Sequence, residues 1–234
     1  MSHFVVATTK PWNVAAFEKR SPRYAGEWHL IEGRADLTAQ AMQQVNPRYI
    51  FFPHWSWIVP REILDRWDCV CFHMTDVPYG RGGSPLQNLI VRGHKTTVLS
   101  ALRMTEDLDA GPVYLKEELD LRGSAGEIYA RTAELVFDLI ERIAAEEPAP
   151  TPQQGAVTTF KRRTPEESRL PQSGGLDRAY DHIRMLDAET YPPAFLDYGD
   201  YRIEFDNAEL QEDGVLRAQV AMHIRNNEPD LKKG

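Results

Sequence analysis

The sequence contains only two cysteines among its 234 residues, Cys69 and Cys71, which are too few for a disulfide framework. No apolar run approaches the about 20 residues that a membrane-spanning helix needs. The amino-terminal stretch has no basic segment followed by a long apolar one, so no secretory signal is predicted. Together these features predict a cytoplasmic protein that has no membrane partner.

Positive charge is also scarce. The chain has 27 Lys and Arg against 35 Asp and Glu, which gives a formal net charge of −8. Because nucleic-acid binding relies on clustered Lys and Arg to meet phosphates, we expect no nucleic-acid partner. The first predicted strand is not followed by GxGxxG, and neither GxxxxGK(S/T) nor GxSxG occurs. Dinucleotide binding, nucleoside-triphosphate binding and a serine nucleophile elbow are therefore not indicated.

The composition is otherwise that of a packed globular protein, with 42% hydrophobic and 10% aromatic residues. Up to residue 95, short apolar runs alternate with helical segments. This alternation predicts an α/β fold with a mostly parallel, Rossmann-like sheet and helices on both faces. Two further strand-like runs, 96–104 and 111–121, flank the loop TEDLDAG and predict an antiparallel pair added to the sheet.

The second half of the chain predicts a long helix, a linker and a small extension. Ser124 and Glu127 form a capping box in front of a helix with one apolar face. The composition of 148–155, PAPTPQQG, is typical of a linker. We therefore predict a core over 1–147 and a small β-rich extension over 156–234, with strand-like runs at 201–205 and 216–224 and a frayed tail, NNEPDLKKG.

Two apolar strands end on histidine, RYIFFPH at His54 and CVCFH at His73. Ligands of open parallel sheets bind beyond the carboxyl ends of the strands, where the strand order reverses. The loop TEDLDAG adds three carboxylates, Glu106, Asp107 and Asp109. If these segments converge, a carboxylate controls the orientation and charge of an imidazole, which is an acid–base site.

Plainer interpretations exist for each feature. A single histidine at a strand end is more often a structural hydrogen-bonding residue. Cys69, Cys71 and His73 alternate along one face of a strand, about 6–7 Å apart, whereas tetrahedral zinc draws its ligands from turns or separate segments. We therefore expect no metal. A thiol nucleophile at Cys71 with His73 as its base stays open as a minor alternative.

The order of the pieces is more specific than any one of them. FHMTDVPYGRGGSPLQNLIVRG followed by TVLSALRMTEDLDAGPVYLKEEL resembles the catalytic core of the formyltransferases that use 10-formyltetrahydrofolate, with a core like that of methionyl-tRNA formyltransferase. The C-terminal segments FKRRTPEES and YDHIRMLDAETYPPAFLDYGDYRI are most similar to the sugar N-formyltransferases. The resemblance implies the Rossmann-like formyltransferase fold, and His73 and Asp109 match the family's histidine and aspartate.

One departure concerns the family's asparagine, whose position holds Cys71 here. In the family that amide binds the formyl oxygen, and a thiol is a weak donor. Losing one such donor typically costs about 10²–10³ in rate. We hypothesise that His54, at the neighbouring strand end, supplies the missing donor. The resemblance thus implies His73, Asp109 and the position of Cys71 as catalytic, and our hypothesis adds His54 to this group.

The resemblance also assigns binding residues, with 10-formyltetrahydrofolate as the co-substrate and no metal. The expected folate-binding residues are His54, Trp55, Ser56, Met104, Glu106, Asp107, Leu108 and Asp109. The expected acceptor-binding residues are Tyr79, Arg81, Gly82, Gly83, Arg162 and Arg163.

The expected acceptor is a primary amine on a small molecule, most simply a nucleotide-linked amino sugar. Only about 80 residues follow the predicted linker, where methionyl-tRNA formyltransferases carry a larger basic domain. The alternatives are an aminoacyl group on a carrier protein and, because of Cys71, a catalytically silent folate- or sugar-binding relative. A homodimer formed through the terminal strands is possible.

Overall fold

The computed structural model describes residues 1–189 and 191–225; the predicted frayed tail lies outside this part of the chain. Two successive βαβ units begin the fold. The first half contains β1 (His3–Ala7), α1 (Pro11–Arg20), β2 (Glu27–Ile31), α2 (Ala39–Val45), β3 (Tyr49–Phe52), α3 (Arg61–Leu64), β4 (Asp68–His73), β5 (Arg81–Gly82) and α4 (Pro85–Val91). The second half contains β6 (Thr96–Arg103), β7 (Val113–Asp120), α5 (Ala125–Glu146), β8 (Thr159–Phe160), α6 (Leu176–Arg184), β9 (Ala194–Tyr198), β10 (Tyr201–Leu210) and β11 (Leu216–Ile224).

Six strands form the main sheet in the order β2-β1-β3-β4-β6-β7. The first four are parallel, and β6 and β7 are antiparallel additions. The predicted fold class is therefore confirmed, including the antiparallel pair. The strand order reverses between β1 and β3, because the chain leaves β1 for β2 on one side and later returns to β3 on the other.

Helices cover both faces of this sheet. One face packs on α1, α4 and α5 and forms the larger apolar core; we call it the α1–α5 face. The other packs on α2 and α3 around a smaller core, and we call it the α2–α3 face. The capping box of Ser124 and Glu127 begins α5 as predicted, and the predicted apolar side of that helix is buried or half-buried.

The C-terminal part forms a three-stranded antiparallel sheet, β11-β10-β9, which confirms the predicted β-rich extension. Sequence patterns missed α6, which packs against β10. Its Arg184 is buried and donates to the carbonyl oxygens of Leu121 (2.7 Å) and Gly123 (2.9 Å), so it fastens the extension to the main domain. Within the described residues, no helix combines the length and the apolarity that crossing a bilayer requires.

Candidate active site

The two predicted histidines lie at the same edge of the main sheet. Phe52 of β3 pairs in register with Cys71 of β4, and both strands are parallel, so their carboxyl ends meet. His73 is the last residue of β4, and His54 follows β3 by two residues. This edge lies beside the reversal of strand order, where α/β folds bind ligands.

His73 is buried and has a partner at each ring nitrogen. Its Nε2 lies 2.7 Å from the carbonyl oxygen of Gly80, and its Nδ1 lies 3.5 Å from Oδ2 of Asp109. A carbonyl oxygen only accepts, so Nε2 carries the proton. The neutral ring therefore has its lone pair on Nδ1, beside the carboxylate. A proton taken up there gives an imidazolium whose two N–H groups both have an acceptor.

A strained loop holds Asp109 at this position. Its φ of +53° lies in the left-handed region, which aspartate tolerates better than most residues. The backbone N–H of Gly82 donates to Oδ2 of Asp109 at 2.9 Å. Gly82 itself has a φ of +107°, and a Cβ there would lie 2.4 Å from the carbonyl oxygen of Phe160. Glycine is thus required where the loop after β4 meets the carboxylate.

Gln153 is a site residue that sequence analysis missed. Its amide nitrogen donates to the carbonyl oxygens of Asp109 (2.8 Å) and Gly111 (2.7 Å). Its oxygen accepts from the Arg81 guanidinium at 2.8 and 3.1 Å. The predicted linker therefore folds back against the Asp109 loop, and Arg81 holds Gln153 in place. The sequence contains only a pair of glutamines in a proline-rich segment at this point, and that pattern does not by itself predict a site residue.

Cys71 lies on the α2–α3 face with Trp55 and Met104. Burial, with a smaller effect from the charge of Asp109, raises the pKa of the Cys71 thiol far above its ordinary value. Burial likewise raises the pKa of Cys69 to about 12. Because a thiolate is the nucleophile, the protonated Cys71 does not suit the minor alternative of thiol catalysis.

The side chain of His54 lies on the opposite face of the sheet from Cys71. Its ring packs edge-on against Trp12 of α1 and Tyr129 of α5, at centroid distances of 6.0 and 5.4 Å, so it lies on the α1–α5 face. Cys71 points to the opposite face. This placement argues against the hypothesis that His54 replaces the missing amide donor. A φ of +51° at His54 redirects its side chain, which strand alternation did not reveal.

The surroundings of His54 also fix its charge. Burial, reinforced by the positive charge of Lys10, lowers the pKa of His54 to about 4. The Asn13 amide donates to Nδ1 at 3.2 Å, so the neutral ring carries its proton on Nε2. At neutral pH His54 is therefore a hydrogen-bond donor and not a proton acceptor.

Unpartnered polar atoms collect around His54. Trp12 and Tyr129 stack at 5.3 Å, and Gln87 donates to the Tyr129 hydroxyl at 3.2 Å. Five buried side-chain N or O atoms have no hydrogen-bond partner among the described residues, and four of them belong to this cluster. These four are Trp12 Nε1, Asn13 Oδ1, His54 Nε2 and Gln87 Oε1. Each such atom typically costs about 1–3 kcal/mol, so their grouping marks a polar cluster with unmet hydrogen-bonding capacity, which we call the His54 cluster.

Of the residues expected to bind folate, His54 lies on the α1–α5 face, whereas Trp55 and Met104 lie on the α2–α3 face. Trp55 contacts Phe52 and Trp57 edge-on, and its Nε1–H is buried without a partner. Ile58 and Leu108 are exposed by 94% and 72%. The remaining polar residues of this set are solvent-facing: Ser56 and Asp107 are exposed, and Glu106 pairs with Arg61 at 2.7 Å.

The residues expected to bind the acceptor are mostly occupied by contacts within the protein. Arg81 donates to Gln153, which holds the Asp109 loop, and the Gly82 N–H donates to Asp109 itself. The Tyr79 hydroxyl lies 3.1 Å from His94 Nε2. Gly83 packs against the backbone of Arg162, whose side chain is exposed. The guanidinium of Arg163 instead donates to the Glu167 carbonyl oxygen at 2.5 Å.

Comparison with known proteins identifies several similar chains. A family model described as the C-terminal domain of methionyl-tRNA formyltransferase matches residues 165–223. A solved methionyl-tRNA formyltransferase from Clostridium thermocellum is 42% identical, with a TM-score of 0.91 over 96% of this chain and 100% of that one. The curated methionyl-tRNA formyltransferase of Rickettsia bellii is 27% identical over 88% of this chain, which spans 68% of that relative's length.

A more distant solved structure shares the fold alone. It is a sugar N-formyltransferase from a Shewanella species, 14% identical with a TM-score of 0.63, over 94% of this chain and 96% of that one. An α/β sheet with a histidine–aspartate pair at its edge is an arrangement typical of enzymes that use acid–base chemistry. The identity and coverage of the Clostridium structure define the class further: the chain belongs to the formyltransferase family, as its sequence motifs predicted.

Proposed function

We propose that this formyltransferase moves the formyl group of 10-formyltetrahydrofolate to a primary amine, with Nδ1 of His73 as the proton acceptor. The observation that carries the proposal is the arrangement Gly80 O, His73, Asp109, with separations of 2.7 Å at Nε2 and 3.5 Å at Nδ1. The shorter contact is a hydrogen bond, and the longer one exceeds hydrogen-bond length and leaves Nδ1 as the base.

His73, Asp109 and Gly80 together carry out one proton transfer, from the attacking amine to Nδ1 of His73. An attacking amine has to lose a proton as its nitrogen bonds to the formyl carbon, and Nδ1 of His73 takes it, directly or through water. Asp109 stabilises the resulting imidazolium, and the Gly80 carbonyl keeps the ring oriented. The same proton is then available to the departing nitrogen, so the protonation state of His73 is restored at the end.

The α2–α3 face suits the folate. Trp55 offers a flat ring and an unpartnered N–H donor, and Trp57, Ile58 and Leu108 give an exposed apolar rim. A pterin is planar with a polar edge, so these groups match it. When bound, 10-formyltetrahydrofolate supplies the reactive formyl carbon and the leaving nitrogen.

The His54 cluster suits the acceptor. It lies on the α1–α5 face next to the reversal of strand order, and it offers the donors His54 Nε2–H and Trp12 Nε1–H together with the amide oxygens of Asn13 and Gln87. Such mixed donors and acceptors match sugar hydroxyls and amides. The Lys10 ammonium lies 5.7 Å from the centre of the Trp12 ring and brings positive charge suited to a phosphate. A nucleotide-linked amino sugar combines these features.

Methionyl-tRNA is the second candidate acceptor. The family match and the relatives named for it favour this alternative. The charge of the matched segment opposes it, because residues 165–223 carry 13 Asp and Glu against 5 Arg. A surface of that sign repels the phosphates of RNA. We therefore place the small acceptor first and expect no nucleic-acid partner.

Cys71 determines how fast the transfer runs. It occupies the position of the family's amide donor, and the protonated thiol is a weaker donor to the formyl oxygen. Replacing Cys71 by Asn is expected to raise kcat, with Cys71→Ser as the control of similar size. If both variants and the native chain bind 10-formyltetrahydrofolate without turnover, the silent-relative alternative is correct.

The acceptor is identified by one assay. The protein is incubated with 10-formyltetrahydrofolate and either a panel of nucleotide amino sugars, an aminoacylated carrier protein or methionyl-tRNA, and tetrahydrofolate release is followed by absorbance. We expect formylation of an amino sugar, verified by mass spectrometry of the product. Faster transfer to methionyl-tRNA, with loss of that activity at high salt, contradicts the small-acceptor proposal.

The extension offers a surface for a homodimer, which stays a prediction. Tyr198, Val220, Met222 and Ile224 on β9 and β11 are exposed apolar residues of the three-stranded sheet. Sedimentation analysis of the native chain and of Met222→Glu is expected to show a dimer that the substitution weakens. A monomer at all concentrations contradicts this prediction.

A further inference from the structure

Three metal-ligating side chains meet at the other end of the main sheet. His3 is the first residue of β1, and Glu27 and His29 lie on the neighbouring edge strand β2. Glu27 and His29 are two residues apart, so they project from the same face of β2, and His3 pairs in register with Glu27. Because β1 and β4 are parallel, this amino-terminal edge lies opposite the edge that carries His73.

The three side chains form a triangle with contacts of similar length, in which each carboxylate oxygen of Glu27 faces a different imidazole. His3 Nδ1 lies 3.5 Å from Glu27 Oε2 and 3.5 Å from His29 Nε2, and His29 Nε2 lies 3.6 Å from Glu27 Oε1. A tetrahedral zinc with bonds of about 2.0–2.2 Å separates its ligand atoms by about 3.3–3.6 Å. The three observed distances match that spacing.

Ordinary hydrogen bonding explains the triangle less well. Nitrogen–oxygen hydrogen bonds are about 2.7–3.2 Å long, and a cluster held by them has at least one contact in that range. Here all three separations exceed it by similar amounts. The rings of His3 and His29 stack with centroids 5.8 Å apart, and one donor atom from each of the three side chains lies within 4.8 Å of the others.

The cluster is accessible to an ion from solution. The side chains of His3, His29 and Glu27 are exposed by 36%, 33% and 55%. A cation bound there keeps a fourth position open to water. Two imidazoles and a carboxylate suit Zn²⁺ and other late first-row divalent ions, whereas Mg²⁺ and Ca²⁺ prefer oxygen-only sites.

We propose that His3, Glu27 and His29 bind one divalent transition-metal ion, with Zn²⁺ as the best fit. The site is remote from His73 and takes no part in formyl transfer. Its effect is structural, because the ion joins the edge strand β2 to β1. Metal binding to the folded chain alone stabilises it by mass action.

The test uses the full chain without a polyhistidine tag, freed of metal by chelation. Calorimetric titration with Zn²⁺ is expected to show one saturable site and an accompanying rise in Tm, and Co²⁺ is expected to give the intense visible bands of a tetrahedral complex. Mg²⁺ is expected to give neither. Formyl transfer, measured with and without Zn²⁺, is expected to stay the same.

The variants His3→Gln and His29→Gln are each expected to weaken Zn²⁺ binding by about tenfold or more and to abolish the rise in Tm. Their Tm in chelator is compared with that of the native chain, which verifies folding. The matched control is His223→Gln, since His223 and Glu204 form an exposed pair at 3.3 Å on the extension. Unsaturable binding, or binding that survives in the His3→Gln/His29→Gln double variant, overturns the proposal.

Discussion

His73 and His54 lie at the carboxyl ends of two neighbouring parallel strands, and apolar residues precede both, yet their rings have different surroundings. His73 has an acceptor beside each nitrogen, so its protonated form is satisfied within the protein. His54 is half-buried between aromatic rings near Lys10, and this desolvation, with the Lys10 charge, lowers its pKa to about 4 and keeps it neutral. The same residue type at the same sheet edge is thus a proton acceptor in one case and a fixed hydrogen-bond donor in the other.

The largest expected effect is a difference in kcat between substitutions at the two histidines. His73→Asn removes the base, so kcat is expected to fall by about a thousandfold, within the usual range for general-base catalysis. His54→Asn keeps an acceptor for the Asn13 amide and tolerates the positive φ, so its kcat is expected to change little while KM for the acceptor rises. The two variants are compared by steady-state kinetics of tetrahydrofolate release. Equal losses of kcat would remove the distinction.

A substitution at Asp109 tests whether its negative charge supports His73 as the proton acceptor. Asp109→Asn keeps the acceptor for the Gly82 N–H and suits a φ of +53°, so the loop is expected to fold as before. The variant lacks the negative charge beside Nδ1, and kcat is expected to fall by about a hundredfold at unchanged Tm. A loss of activity that follows a loss of Tm would mean that Asp109 is structural.

His54 predicts a dependence of stability on pH. Its pKa is about 4 when folded and about 6.5 when unfolded, so between these values the unfolded chain binds more protons. The contribution of His54 is therefore complete above pH 6.5 and is lost as the pH falls toward 4, by up to roughly 3 kcal/mol.

Urea unfolding of the native chain and of His54→Asn from pH 7.5 to pH 4 measures this contribution. The difference in unfolding free energy between the two proteins is expected to shrink as the pH falls. A difference that stays constant across this range contradicts the neutral, half-buried state of His54.

The smallest expected effect concerns Gln153. Gln153→Leu removes two donors to the Asp109 loop and the acceptor for Arg81, so kcat/KM is expected to fall by about tenfold, the scale of one or two hydrogen bonds. Its exposed neighbour gives the matched control, Gln154→Leu, which is expected to leave kcat/KM unchanged. Equal behaviour of the two variants would show that the segment 148–155 does not position Asp109.

Much of the fold was predictable because periodicity reports burial. The alternation of apolar runs gave the parallel strands, and the capping box gave the start of α5. The helix α6 was missed because its buried side includes a charged residue, Arg184, whose partners are carbonyl oxygens distant in sequence. A polar sequence of that kind is indistinguishable from a loop until the partners are known.

The site was predictable in part. His73 and Asp109 lie 3.5 Å apart as their motifs suggested, because the loop between β6 and β7 reaches back to the end of β4, where the Gly82 N–H holds the carboxylate. The direction of His54 was not predictable, since a positive φ after β3 breaks the alternation of side chains. Gln153 was hidden because its role depends on a loop returning to the site, which local patterns do not encode.

The most direct test of the account is the protonation of His73 itself. In the native chain labelled with ¹⁵N-histidine, NMR is expected to show the neutral His73 ring with its proton on Nε2, because that atom faces the Gly80 carbonyl oxygen. Asp109→Asn is expected to leave that tautomer unchanged, since the Gly80 carbonyl sets it. A neutral ring protonated on Nδ1 instead would contradict the assignment of that atom as the proton acceptor.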